Sequence, residues 1–511
     1  MTKGGTFARR LIRGGLAAGL VALVAFGLGA CTTTPPGPGP SDSAAATSRL
    51  VVGATLEPPT LDFSQSDAAA IPQLLLYNVY ETLVKQDDTG AIRPLLATSY
   101  QLSDDRLAYT FTLDPKATFA SGAPVDAAAV VASIERFKSA PNSTVAGPLG
   151  LVQQAVALDP GTVAVTLTRP SNSWLYDMTS TAGIVADPAV TDLANGTAGS
   201  GPYQFSDWVK GDRINLTANA SYWGQRAAFA GVEFRYFADP NAMDSALLSG
   251  DIDVISDLTS PSSLAAFADT AKYQVVKGTS TGEVVLGFNH SQAPLKDLRV
   301  RQAINYAIDR QAIIDTAWGG QGQLIGSMVD PTDPYYEDLS QTYPYDPEKA
   351  RQLLADAGLT DLALRLRVPV VPYATATAQI VASQLGQVGI TATVDELDFS
   401  TWLSQVFTNG DYDLTIVNHA EPRDIASFAK PDYYWHYDNQ QFQDLLAQAD
   451  AAAPDQYVPL MKQAARLLAE DAAADWLFLF PHLVVAKAGL TGIPPNSATV
   501  SFDVTTIAAS G

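Results

Sequence analysis

The sequence predicts an α/β protein of two or more lobes, with α+β character in its first half, and three observations carry that prediction. Its 511 residues exceed what one compact core holds, so the apolar side chains must be shared between lobes. Residues 362–417 place strand and helix patterns in the order β-α-β-α-β, the order of a doubly wound parallel sheet. Residues 50–203 mix strands and helices without strict alternation, as α+β folds do.

The amino-terminal thirty residues read as an export signal. Lys3, Arg9, Arg10 and Arg13 form a basic head before an apolar run over residues 16–28, shorter than the roughly 20 residues that cross a bilayer. The run ends in Leu28-Gly29-Ala30-Cys31, which resembles the lipobox of bacterial lipoproteins. Cys31 is the only cysteine, so an internal disulfide is impossible, and lipidation accounts for a lone exported thiol. Arg9-Arg10 leaves the twin-arginine export route open. Residues 32–48, with Pro35, Pro36, Gly37, Pro38, Gly39 and Pro40, read as a disordered tether. The expected location is the outer face of the cytoplasmic membrane, in the periplasm or its Gram-positive equivalent, held there by lipid alone.

Removing residues 1–30 takes away four basic and no acidic residues, so the formal charge of −22 becomes −26 on 481 residues. Such an acidic chain is repelled by nucleic acid and by anionic headgroups.

Along the mature chain, residues 50–56 read as a strand, and Pro58-Pro59 then forces an extended exit. Residues 71–84 are apolar at helical spacing and stop at Asp87-Asp88-Thr89-Gly90. A strand is predicted over 107–113, a turn over 119–124, a helix over 125–137 and a strand over 163–167, before a glycine-rich junction at 199–203. Asp297 caps a helix whose Val300, Ile304, Ala307 and Ile308 share one face. Asp346-Pro347-Glu348 opens a second helix that Gly358 closes. Next come a strand with Leu362, Leu364, Leu366 and Val368 on one face, a helix over 374–388, a strand over 390–394, a short helix after Ser400 and a strand over 414–417. Ligands of such lobes sit beyond the carboxyl ends of the strands, which singles out residues 418–428.

Tyr80-Glu81-Thr82-Leu83-Val84, Ser103-Asp104-Asp105, Tyr109-Thr110-Phe111 and Phe119-Ala120-Ser121-Gly122-Ala123-Pro124-Val125 are followed in order by Gly201-Pro202-Tyr203, Gly211-Asp212, Tyr222-Trp223-Gly224 and residues 250–253. Phe288-Asn289-His290, Asp297-Leu298-Arg299-Val300-Arg301-Gln302-Ala303-Ile304 and Ala307-Ile308-Asp309-Arg310 complete the series. Across nearly the whole mature chain this series resembles the family 5 extracellular solute-binding proteins, whose members bind oligopeptides, dipeptides or nickel. One departure is Ala129, where the family usually has aspartate, which puts a local cap in doubt.

The resemblance implies a two-lobed, periplasmic-binding-protein-like fold of type II with three subdomains. Lobe I would span residues 49–287, with a small inserted subdomain over about 93–199; lobe II would span 288–481, and residues 482–511 would return to lobe I. It also implies a monomer without cofactor or catalysis, which closes on a peptide and docks on an ABC permease driven by its ATPase subunits.

The family's peptide binders hold the ligand's α-amino group with an acid on the second lobe, so Ala420-Glu421, with Pro422 and Phe428, makes Glu421 the candidate and Asp424 the alternative. Arg423 between them either pairs with an acid or receives a ligand carboxylate; a solvated loop network is the competing reading of all three. Trp402, Tyr433, Tyr434 and Trp435, with Tyr222 and Trp223 from the first lobe, are candidate aromatic walls, or simply core.

The rival ligands are nickel chelates, sugars and other small solutes. The four histidines, His290, His419, His436 and His482, lack the spacing of a metal motif, and His419 alone is placed to ligate a chelate. A hydrolase is the rival of another class. Gly278-Thr279-Ser280-Thr281-Gly282 matches G-x-S-x-G, but a strand pattern follows it where a nucleophile elbow needs a helix.

Overall fold

The computed structural model describes residues 48–195 and 198–510. The export signal, Cys31 and nearly all of the tether therefore lie outside the described residues. No helix among the described residues is long and apolar enough to cross a membrane.

One ten-stranded sheet runs through both lobes. Its strands are β1 (Arg49–Ala54), β2 (Tyr203–Val209), β3 (Arg213–Ala218), β4 (Gly231–Tyr236), β5 (Val254–Ile255), β6 (Tyr273–Phe288), β7 (Leu362–Pro369), β8 (Ile390–Leu397), β9 (Leu414–His419) and β10 (Ala474–Lys487). The spatial order is β2-β3-β4-β1-β5-β10-β6-β9-β7-β8. β7 pairs parallel with β8 and with β9, and the helix Pro372–Gln387 crosses between β7 and β8, which gives the doubly wound lobe expected from the sequence.

The lobes are joined by β6 and β10, which pair antiparallel along both. Residues 273–279 of β6 pair with 481–487 of β10, and after a register shift residues 283–287 pair with 474–479. Between these two paired stretches lie residues 280–282, and Val284, Leu286 and Phe288 beyond them pack in the core of lobe II. Ser280 Oγ donates to Phe480 O at 2.7 Å in the middle of this ribbon. The G-x-S-x-G segment is therefore continuous strand, with no nucleophile elbow.

The inserted subdomain is a four-stranded antiparallel sheet of Ala97–Leu102, Ala108–Leu113, Thr162–Leu167 and Val152–Asp159 in that order, with the helix Ala127–Phe137 packed on it. The cap doubted at Ala129 is supplied by Asp126, whose carboxylate accepts from Ala129 N at 2.9 Å. Lobe II helices end as their sequence dictates: Asp297 caps Leu298–Ala307, Asp346 caps Pro347–Asp356, and Gly358 follows at φ 75°.

The helix expected over 71–84 is corrected to Ala70–Leu75, followed by strands Glu81–Thr82 and Val84–Gln86. Every residue from Leu74 to Val84 is buried, so the run threads a core, and the helix ends at Leu76, whose backbone turns extended at ψ 128° ahead of Tyr77 at φ 66°.

The inserted subdomain touches lobe II directly. Asp450, in the last turn of the helix Gln440–Ala451, accepts from Ser171 Oγ at 2.8 Å and Ser173 N at 3.0 Å and pairs with Arg169 at 2.5 Å. Asn172 donates its side-chain amide to Ala449 O and Ala452 O and its backbone N–H to Asp450 O.

Candidate functional site

β9 carries the chain to the carboxyl end of the parallel pair β7–β9 and releases it at His419, facing lobe I. Glu283 stands opposite His419 in the antiparallel ladder of β6 and β9, which puts both side chains on one face of the sheet. Thr281 Oγ1 donates to Ala420 O at 2.8 Å and pins the two strand ends together.

The His419 ring is held from both sides. Its Nδ1 lies 3.0 Å from Asp424 Oδ2, and its Nε2 lies 2.8 Å from Tyr434 Oη. Asp424 Oδ1 and Glu283 Oε2 are buried without a hydrogen-bond partner, as are Asn418 Oδ1 and Ser427 Oγ.

Arg423 reaches across to the inserted subdomain. Its Nε donates to Asp333 Oδ1 at 2.8 Å, and its guanidinium lies 3.4 Å from the centre of the Tyr176 ring. The backbone of Arg423 is left-handed at φ 60°, an unfavourable conformation for a long side chain and one that clusters at functional sites.

Acids dominate the surroundings. Glu283, Asp330 and Asp333 are buried, and Asp177 faces the group from the inserted subdomain. Burial raises the Glu283 carboxyl well above the usual glutamate range, and Asp424, Asp330 and Asp333 add to the rise. Asp333 is pushed up to about 7 by burial, against the pull of Arg423, and burial pushes Asp177 to about 7 as well. Burial raises Asp424 too, with His419 opposing. Such clustering of like charge favours a cationic guest.

Of the residues singled out in the sequence, the structure brings together Glu421, Arg423, Asp424 and Tyr434. Glu421 is exposed at the mouth, where it, His419 and Asp424 offer ligand atoms within 4.8 Å of one another. Both ring nitrogens of His419 are already engaged, so a metal there must displace Asp424 or Tyr434. Trp402 and Trp435 are core residues instead of walls: Trp402 donates Nε1 to Thr415 Oγ1 at 3.0 Å, and Trp435 stacks on Phe428. Tyr433 is half-buried beside Tyr434. Tyr222 and Trp223 lie apart from this group, in lobe I, where both donate to Glu81, at 2.6 and 2.9 Å. His290 is turned to Ala473 O and His482 to Pro495 O.

Sequence reasoning missed Glu283, Asp330, Asp333, Tyr176 and Asp177. The signal for Glu283 was present, as a lone acid opening the apolar stretch Val284-Val285-Leu286. Beside the crossing strands, lobe I holds a cavity of about 340 Å³ lined in part by Lys85, Gln86, Asp88, His482 and Asn496.

Two lobes joined by a paired-strand ribbon, with a polar buried site where they meet, define a protein that encloses a small solute. A model of bacterial extracellular solute-binding proteins, family 5, matches residues 91–442, and the chain belongs to that family. The probable D,D-dipeptide-binding periplasmic protein DdpA of Escherichia coli is 30% identical over 470 residues, covering 84% of this chain and 88% of that protein. The glutathione-binding protein GsiB of Salmonella typhi is 28% identical over 349 residues, 66% of this chain and 68% of that one. Among solved structures, the ABC transporter substrate-binding protein CtaP of Listeria monocytogenes superposes with a TM-score of 0.82 at 21% identity, over 91% of this chain and 100% of that one. The binding protein AgaA of A. tumefaciens R10, solved with agropinic acid, gives 0.75 at 26% identity over 91% and 99%. The chain is the substrate-binding protein of an ABC importer.

Proposed function

We propose that the protein captures peptides outside the cytoplasmic membrane, holds their α-ammonium at Asp424 and Glu421, and presents them to a permease without chemistry on the ligand. The observation that carries this reading is the surplus of buried carboxylates, two of them with an unfilled acceptor, at the meeting of the lobes. An ammonium brings only donors and positive charge, which is what these oxygens lack. Relatives described as binding a dipeptide and glutathione, both with free amino groups, support the same ligand class. Closure by hinge motion at the β6–β10 ribbon excludes water from the pair and strengthens it. In this reading Cys31 carries lipid, which keeps a monomeric protein near its permease at the outer face of the membrane and raises its effective concentration there.

A metal chelate is the second reading, favoured by the spacing of His419, Glu421 and Asp424. The two are separated by titration calorimetry with trialanine and N-acetyl-trialanine. Peptide capture predicts that acetylation weakens binding by about tenfold or more, and that Glu421→Ala and Asp424→Ala each weaken binding of the free amine. Equal affinity for both peptides overturns the amine site, and unchanged affinity in Glu421→Ala removes Glu421 from it.

A further inference from the structure

We infer that Glu283 is a second cation receptor in the same cleft, so that the protein prefers peptides whose first residue carries a basic side chain. The inference rests on the peptide reading and specifies its ligand.

Glu283 is 3% exposed, yet among the described residues its Oε2 has no donor and no basic side chain is paired with it. The groups facing it come from three elements. β9 contributes His419, the segment after it contributes Asp424, and the loop between the helices Arg310–Ala317 and Pro347–Asp356 contributes Asp330 and Asp333. Among the described residues, Arg423 is the arginine at this group, and it is committed to Asp333 and to the Tyr176 ring. The imidazole of His419 is committed to Asp424 and Tyr434.

One α-ammonium at Asp424 and Glu421 leaves Glu283 still without a partner. A buried carboxyl of this kind is costly unless a donor arrives with the ligand. It stands opposite His419, whose Nδ1 holds Asp424, and so beside the amine site, buried where Glu421 is exposed. A lysine or arginine side chain leaving the same Cα as the α-ammonium reaches it from there. A neutral side chain there leaves the acid unpaired, so selectivity arises from the penalty against the wrong guest as much as from attraction to the right one.

The test compares Lys-Ala-Ala with norleucine-Ala-Ala, which keeps the chain length and loses the charge, by calorimetry on the mature protein at pH 7. The lysine peptide is expected to bind about tenfold tighter or more, and Glu283→Gln to erase that difference by weakening the lysine peptide and relieving the penalty on the norleucine peptide. Glu283→Asp, which keeps the charge, is expected to retain part of the preference, and it guards against a Gln variant that fails to fold. Equal binding of the two peptides by the parent protein overturns the inference and leaves peptide capture standing. Binding of neither peptide overturns both.

Discussion

Glu81 in lobe I and Glu283 in lobe II are both carboxylates in the interior, and their surroundings are opposite. Glu81, 1% exposed, accepts from Tyr222 Oη at 2.6 Å, Ser200 Oγ at 2.8 Å and Trp223 Nε1 at 2.9 Å. Glu283 is buried to a similar degree and has an oxygen that receives nothing, among three further acids. Burial of an acid therefore does not by itself mark a ligand site. Where the fold supplies the donors, the acid is structural; where it withholds them, the donors are left to a guest. The comparison also accounts for the polar ends of Tyr222 and Trp223, which are spent on Glu81 inside lobe I.

The largest effect that would sharpen this contrast is expected at Glu81. Glu81→Ala removes three charge-assisted bonds and strands their donors, so chemical denaturation should show a loss of about 2–4 kcal/mol. Tyr222→Phe removes one of those donors and should cost about 1–2 kcal/mol, with ligand affinity unchanged. A loss of affinity without loss of stability in Tyr222→Phe would return that residue to the site and break the comparison.

Glu283→Gln should act in the opposite sense. Because the Glu283 carboxyl is raised in the fold, the folded state holds its proton more tightly than the unfolded chain does. Stability is then fully present below the ordinary glutamate range and is lost as pH rises toward the folded value. The variant should melt a few degrees above the parent at pH 8 and together with it near pH 4. A variant less stable than the parent at pH 8 would mean that Glu283 has a partner within the fold.

A smaller effect is expected at the contact between the inserted subdomain and lobe II. Asp450→Ala removes the acceptor for Ser171, Ser173 and Arg169, and should shift the empty protein toward the open form, seen by small-angle scattering as a larger radius of gyration. An unchanged radius would show that these bonds do not bias closure.

Much of lobe II was legible because its instructions are local. Asp346, Pro347 and Gly358 state where one helix begins and ends, and Leu362, Leu364 and Leu366 state which face of a strand is buried. Residues 71–84 misled because a segment buried on every side has no polar face to reveal its period. Topology singled out the loop after β9, and the resemblance to the family's peptide binders singled out Glu421 within it, with Arg423 and Asp424 beside it. Glu283, Asp333 and Asp177 were not, since they come from three segments distant in sequence that only the folded chain brings together. Trp402 and Trp435 show the reverse error, as aromatics beside a site are indistinguishable in sequence from aromatics beneath it.

The central claim is that the cleft receives a peptide. Native mass spectrometry of the mature protein, purified from cells without residues 1–31 and then denatured to release its cargo, tests it most directly. Peptide capture predicts that the released masses are peptides with free amino termini. Release of a metal chelate, a sugar or no peptide at all would contradict it.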